Sequence, residues 1–374
     1  MTIIPGVYID SSFGNKKVNA FSPSPLPIEV SPSWDHMEPY HKAMTKISEA
    51  NNNLVEISRA TIVNILFKKE SVFSSQIEGT HSSLNDYYSY SAGLIEQNDD
   101  LNENIAHFNA LFYSYKQLLD GRPFTLGLIK EAHRLLMEGS KRGENKNPGS
   151  FRNSQNSIGM TFFPPPPLQM QDLMDNLESY IQNHNDNLPP LFRAALVHYQ
   201  FEAIHPFEDG NGRIGRMLIS TLLCHWGITR LPIIHLGEYF KSNRQEYMER
   251  LLQVSKTGDF DGWFLFFLKG VEAQAINALS LWNKITFLKE EILSKFKSDP
   301  KVHTTSSLRS CIDYIAYNPF FTVNDIAGET GVEKQTVNNI IDKMVQKMIV
   351  NMAGKRGKAH VYVCNKTRDI LSNG

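Results

Sequence analysis

His205-Pro206-Phe207-Glu208-Asp209-Gly210-Asn211-Gly212-Arg213-Ile214-Gly215-Arg216 is the densest cluster of chemically useful residues in the chain. Two glycines flanking an asparagine let the backbone approach a ligand closely and turn successive N–H groups the same way, which makes a nest for an anion. The apolar residues Ile214, Met217, Leu218 and Leu222 start a helix there, so its positive end faces the same guest. Arg213 and Arg216 lie three residues apart on one helix face, and two guanidinium forks suit a polyphosphate better than a single carboxylate. Asp209, just before the nest, is placed to hold a Mg²⁺ that bridges phosphate oxygens. His205 precedes the helix and can accept a proton near neutral pH. Taken singly, Asp209 would serve equally well as a helix N-cap and His205 as an ordinary loop residue. Arginines in a first helical turn are disfavoured by roughly 0.3–1 kcal/mol unless an anion compensates, so two of them favour a ligand.

Gly210-x-Gly212-x-x-Gly215 also satisfies the dinucleotide-binding expression, with Glu238 about twenty residues further on. That reading requires a buried strand directly before the first glycine. What precedes it is an amphipathic helical pattern and then a polar stretch, which argues against it.

The same twelve residues meet the pattern HxFx(D/E)GNGRxxR without departure, and the chain thereby resembles the Fic family from about residue 40 to 290. The resemblance implies AMP transfer from ATP to a protein hydroxyl (serine, threonine or tyrosine). The hydroxyl attacks the α-phosphorus in line and pyrophosphate leaves. It casts His205 as the base, Asp209 as the Mg²⁺ ligand and Asn211 as a contact to the α-phosphate. Gly210 and Gly212 would give backbone to the anion site, with Arg213 and Arg216 on the β- and γ-phosphates. Relatives that phosphorylate carry lysine at the position of Gly212, so glycine favours AMP transfer. The family's inhibitory pattern (S/T)xxxE(G/N) is matched by Ser74, Glu78 and Gly79. Glu78 stands at a helix end, where the dipole disfavours a carboxylate unless a cation pairs with it, and Arg216 is the natural partner. If the two pair, ATP binds unproductively. Ile158, Gly159, Met160 and Thr161 occupy the place of the Fic flap, which adds a strand beside the target's extended segment. Tyr247 resembles the family's tyrosine beside the adenine, although Met248 replaces the second aromatic often found there. Removal of AMP, with Glu78 positioning water, would use the same site.

Outward from this cluster the pattern is mainly α. Helical spacing covers about 39–76, 102–119, 126–137, 170–183, 191–204, 216–225, 244–254 and 263 towards 297. Between Phe151 and Pro167, four successive prolines exclude a helix interior and indicate a short β-hairpin. Residues 1 to about 35, with Pro5, Pro23, Pro25, Pro27 and Pro32, read as an irregular arm. The expected division is an N-terminal arm and helical region (1–100), a catalytic core (101–297) and a C-terminal winged helix-turn-helix (298–374), joined through the polar stretch Ser298–Ser307. In the last unit Thr322-Val323-Asn324-Asp325-Ile326-Ala327, Thr330-Gly331-Val332 and Thr336 to Met348 give the two helices and tight turn. His360-Val361-Tyr362-Val363 after Lys355-Arg356-Gly357-Lys358 gives a wing.

At 374 residues the chain has room for two or three cores. Its net charge of -1 excludes uniform nucleic-acid binding, so any such site is local. Residues 301–374 carry ten basic against six acidic side chains, which permits DNA as a partner of that unit. A DNA-bound regulator whose pocket senses ATP is therefore the competing reading. Cys224, Cys311 and Cys364 are far apart and odd in number, as expected of buried thiols in a reducing compartment. With no basic start before an apolar run and no eighteen consecutive apolar residues, the expectation is a cytoplasmic protein without a membrane partner. The expected partners are a hydroxyl-bearing target protein, or the chain itself; a homodimer is compatible with the sequence.

Overall fold

The structure, a computed structural model, describes residues 4–53, 59–138, 140–143, 146–159, 161–183, 186–297 and 305–373. Contacts divide it into two units. The first comprises Met1–Asn52, Leu66–Thr80 and Asn102–Ile276, and the second Asn53–Ile65, His81–Leu101 and Asn277–Gly374.

The first unit opens with a hairpin, β1 (Gly6–Phe13) and β2 (Lys16–Pro23), paired antiparallel from Gly6↔Pro23 to Phe13↔Lys16. This corrects the expectation of an irregular arm. Its prolines flank the hairpin or end a strand, and Gly14 closes the two-residue turn at φ 58°. Helices α1 (Trp34–Asn53), α2 (Arg59–Ile77, shared between the units), α4 (Asp99–Leu119), α5 (Leu126–Met137) and α6 (Pro167–Asn183) follow, with α3 (Leu84–Ser91) in the second unit. Then come α7 (Pro190–Ile204), α8 (Asn211–His225), α9 (Gly237–Ser242), α10 (Arg244–Thr257) and α11 (Phe260–Lys297). α7 is the axis. It is apolar all round, and Leu191, Phe192, Ala195, Leu196, Tyr199 and Phe201 are essentially inaccessible, as a central helix must be. It packs against β2, α6, α8 and α10.

Two further expectations shift. α8 begins at Asn211 rather than Arg216, because Gly210 adopts a left-handed conformation (φ 78°) and starts the helix five residues early. The hairpin expected between Phe151 and Pro167 reduces to one antiparallel bridge, Ile158↔Phe162. Pro164 to Pro167 offer no N–H to extend it, and Pro167 instead occupies the first turn of α6.

α11 has the length and apolar composition of a membrane span, with mean hydropathy 1.2 over 18 residues, and half of that window is buried inside the protein. Such a composition is shared by core helices, and Trp263 and Phe267 near its start are fully buried.

In the second unit, α12 (Ser306–Tyr317), β3 (Phe320–Phe321), α13 (Val323–Thr330), α14 (Lys334–Gln346), β4 (Asn351–Arg356), β5 (Ala359–Val363) and α15 (Asn365–Asn373) surround one core. The three strands run β3-β5-β4, all antiparallel. Thr322 and Asp325 form a reciprocal capping box that starts α13, and Gly331 ends it at φ 69°. Cys311, Ile326, Val337, Ile341, Met344 and Val350 fill the interior together with Leu288 and Ile292 of α11. Of the joint expected at Ser298–Ser307, residues 298–304 lie outside the described residues.

Candidate functional site

A cavity of about 520 Å³ opens in the first unit. One wall is the loop between α7 and α8 with the first turn of α8: His205, Glu208, Asp209, Gly210, Asn211, Gly212 and Arg216. Ile158, Gly159 and Thr161 also line it, as do Glu78, Tyr247 and Arg244. Met160 lies outside the described residues. Gly79 is not among the lining residues; its backbone, at φ 100°, turns the chain directly after Glu78.

His205 closes α7 in a left-handed conformation (φ 50°, ψ 61°) that a non-glycine residue seldom adopts. Arg152, which is 2% exposed, holds that conformation. Its guanidinium donates to the backbone oxygens of His205 (2.9 Å), Ser154 (2.9 Å) and Pro165 (2.6 Å), and its N–H to Pro206 O (2.9 Å). One side chain thus ties both ends of the flap to the residue most suited to act as a base. Burial, and then the charge of Arg152, lower the His205 imidazole to about 4, so it is neutral and able to accept a proton at pH 7. Its Nδ1 is buried without a hydrogen-bond partner among the described residues.

The loop is braced from beneath. Asn211 uses its amide twice against Phe207, accepting from the backbone N–H and donating to the carbonyl, both at 2.8 Å. His133 stacks on Phe207 at 3.7 Å between ring centres and sits 3.0 Å from the Asp209 carbonyl. Gly210 caps α8 without a side-chain hydrogen bond. The first N–H groups of a helix have no partner within it, and here they belong to cavity-lining residues Asn211 and Gly212.

The two arginines separate. Arg213 is fully buried, 3.3 Å from Glu103 and 3.9 Å from Asp209, and is not among the cavity-lining residues. Arg216 lines the cavity, donating from Nε to Ser74 Oγ (2.7 Å) and from Nη2 to Ser74 O (3.1 Å) and Glu78 Oε1 (2.7 Å). Burial disfavours the charged form of Glu78, but Arg216 outweighs it and holds the carboxyl below its ordinary range. Gly212 makes space for this pair. A Cβ there would lie 2.5 Å from Glu78 Oε1 and 2.8 Å from Arg216 Nη1. Tyr247 is 1% exposed, stacked on Phe240 at 4.1 Å, with its hydroxyl 2.8 Å from His198 Nε2.

Asp209 Oδ1 accepts from Gly210 N at 2.6 Å, and the side chain is about a third exposed on the cavity wall. Among the described residues no group of three His, Cys, Asp or Glu could hold a metal unaided. A cavity-facing carboxylate beside helix-terminal amides fits a hard cation whose remaining ligands are phosphate oxygens and water.

Residues that the sequence reading assigned no role are Arg152, His133, His198 and Glu202. Only Glu202 carried a signal, since three residues before His205 on a helix means the same face.

Residues 123–223 match the family described as Fic/DOC family. Among curated proteins, the chain is 29% identical over 236 residues to a protein adenylyltransferase Fic of Aedes aegypti, covering 60% of this chain and 43% of that protein. It is 34% identical over 162 residues to the protein of that name in Drosophila virilis, covering 43% and 31%. The chain thus spans less than half the length of these relatives. A Fic family protein from Desulfovibrio desulfuricans G20 has a similar fold, with TM-score 0.58 and 20% identity over 90% of this chain and 97% of that one. A Fic domain containing signaling protein from Bacteroides thetaiotaomicron gives 0.52 and 24%, covering 65% and 96%. The cavity wall from His205 to Arg216 falls inside the matched segment, so its geometry is that of a Fic/DOC-type segment.

Proposed function

We propose that this chain transfers the AMP moiety of ATP to a hydroxyl side chain of a protein, itself included, and that Glu78 restrains the reaction. One observation carries the reading. The Glu78–Arg216 contact of 2.7 Å stands in the same cavity wall as His205 and the start of α8, so an acidic side chain occupies the cation best placed for a terminal phosphate. Similarity to proteins named adenylyltransferases supports the reaction class.

In this mechanism His205 accepts the proton of the attacking hydroxyl as the oxygen bonds to the α-phosphorus, and the bond to the β-phosphate bridging oxygen breaks. The amides of Asn211 and Gly212 and the guanidinium of Arg216 stabilise charge on the phosphates, a role that needs fixed dipoles in a site partly shielded from water. Asp209 would hold Mg²⁺, which when bound neutralises phosphate charge. Ile158, Gly159 and Thr161 offer backbone to an extended segment of the target. Tyr247 would flank the adenine. With Glu78 in place Arg216 is occupied, and the triphosphate lies unproductively. The C-terminal unit belongs to this reading as a winged helix. Its exposed Gln335, Asn338 and Asn339 on α14, with Lys355 and Lys358, suit DNA as a second partner.

The experiment is mass spectrometry of a lysate incubated with the Glu78→Gly chain, ATP and Mg²⁺. The expected result is a protein carrying one added AMP on Ser, Thr or Tyr, lost when His205→Ala is added. If the folded variant binds ATP but no protein gains AMP, the reading is wrong.

A further inference from the structure

Glu202 stands on α7, one turn before His205. It lines the cavity, yet Oε1 is buried with no hydrogen-bond partner among the described residues. A buried carboxyl oxygen in that condition is costly and needs a reason. The Nδ1 of His205, which the Glu202 backbone carbonyl also approaches, lies 4.0 Å from Glu202 Oε2. An imidazole nitrogen that can carry hydrogen thus faces a carboxylate about 1 Å beyond hydrogen-bond length. Space for the carboxylate is cut into α8. A Cβ at Gly215 would lie 2.2 Å from Glu202 Oε1.

Resting on the proposed transfer reaction, we infer that Glu202 is the positioning residue for His205: its carboxylate takes the Nδ1 hydrogen, keeps Nε2 bare for the attacking hydroxyl, and stabilises the imidazolium that forms. Atoms balance simply. The hydroxyl proton passes to Nε2 while the Nδ1 hydrogen stays on the ring, shared with Glu202, which is not itself protonated.

The groups facing the carboxylate are Arg216 of α8, Glu78 after α2, Tyr247 of α10 and His205; those facing the imidazole are Arg152, Glu78 and Asp209. Burial pushes Glu202 up to about 7, Arg216 pulls it down and Glu78 pushes it up. Withdrawal of Glu78 therefore frees Arg216 and also favours the ionised Glu202 that positioning requires. A competitor exists in the Glu202 backbone carbonyl, which also favours the protonated ring. The experiment separates the two.

The full-length chain carries ¹⁵N-histidine, and the His205 resonances are assigned by their loss in His205→Ala. The ring is expected as the Nδ1–H tautomer in the Glu78→Gly chain, and an Nε2–H tautomer overturns the inference. In the same background Glu202→Leu removes the acceptor and is expected to populate the other tautomer. It should lower kcat on the order of 10²-fold, with the ATP KM within about twofold. Glu202→Gln, an acceptor without charge, should fall between. Unchanged tautomer and kcat in Glu202→Leu would assign the role to the backbone carbonyl and overturn the inference. Should Glu202→Leu not fold, Gly215→Ala, which pushes on the carboxylate from α8, is expected to give the same split, and unaltered kcat there overturns it. If the Glu78→Gly chain transfers no AMP at all, the reaction reading fails on its own, and the tautomers of Glu78→Gly and its Glu202→Leu derivative still decide the contact.

Discussion

The cavity has two ends that treat polar atoms in opposite ways. Around Arg216 every bond of the guanidinium described above is short and made, to Ser74 twice and to Glu78 once. Near His205, Glu202 Oε1 is buried with no hydrogen-bond partner among the described residues, and the imidazole Nδ1 stands 4.0 Å from the other carboxylate oxygen. A satisfied ion pair stabilises the state in which it is found, whereas a buried polar atom left unpaired is costly and calls for an explanation. On the reading proposed above, this conformation is a resting one, with Arg216 occupied by the chain's own Glu78 and His205 left available.

Gly212 gives the larger of two ways to break that contrast. Gly212→Ala puts a methyl group against Glu78 Oε1 and Arg216 Nη1, so the pair must open. In the unaltered background label transfer from ATP is expected to rise several-fold, and in the Glu78→Gly background to show no rise, because the pair is already gone. A fall in both backgrounds would mean that the glycine serves the ligand and not the pair.

A smaller effect sharpens the His205 end. Burial is the chief cause lowering His133 and His205 to about 4 and His198 and His235 to about 3, and it lowers His107 well below the ordinary value. The unfolded chain takes up these protons below about 6.5. Stability from this source is therefore full above that pH and is lost as pH falls towards 4 and below. Glu70 and Glu202, both raised by burial to about 7, act in the opposite sense: their contribution is present at low pH and lost as pH rises from 4.5 through 7. Five imidazoles outweigh two carboxyls. Tm is expected to fall between pH 7 and pH 5, at roughly 2–4 °C for each kcal/mol lost; an equal or higher Tm at pH 5 would show that the carboxyls dominate.

How much of this was legible depends on whether the cause was local. The loop from His205 to Arg216 could be read because its glycines and charges are contiguous and each local preference agrees with the next. Glu78 and Arg216 are 138 residues apart, and only a motif resemblance and a helix-end carboxylate suggested the pair that the structure brings to 2.7 Å. Asn211 and Arg213 look like ligands in sequence, yet their side chains brace Phe207 and meet Glu103, since spacing says which face a residue shares and not what waits there. Arg152 had no signal at all. Its four contacts are to backbone oxygens of residues brought together by the fold, and no side-chain pattern records a carbonyl. The β1–β2 hairpin was hidden by prolines that mark its borders, although Gly14-Asn15 supplied a turn signal.

On the proposed reading, the acidic side chain that follows α2 keeps a transfer-competent cavity idle. Incorporation of label from α-labelled ATP, compared between the unaltered chain and Glu78→Gly, tests it most directly. At least about tenfold more label is expected with Glu78→Gly, equivalent to ~1.4 kcal/mol. Equal incorporation in the two chains, or less in the variant, would contradict it.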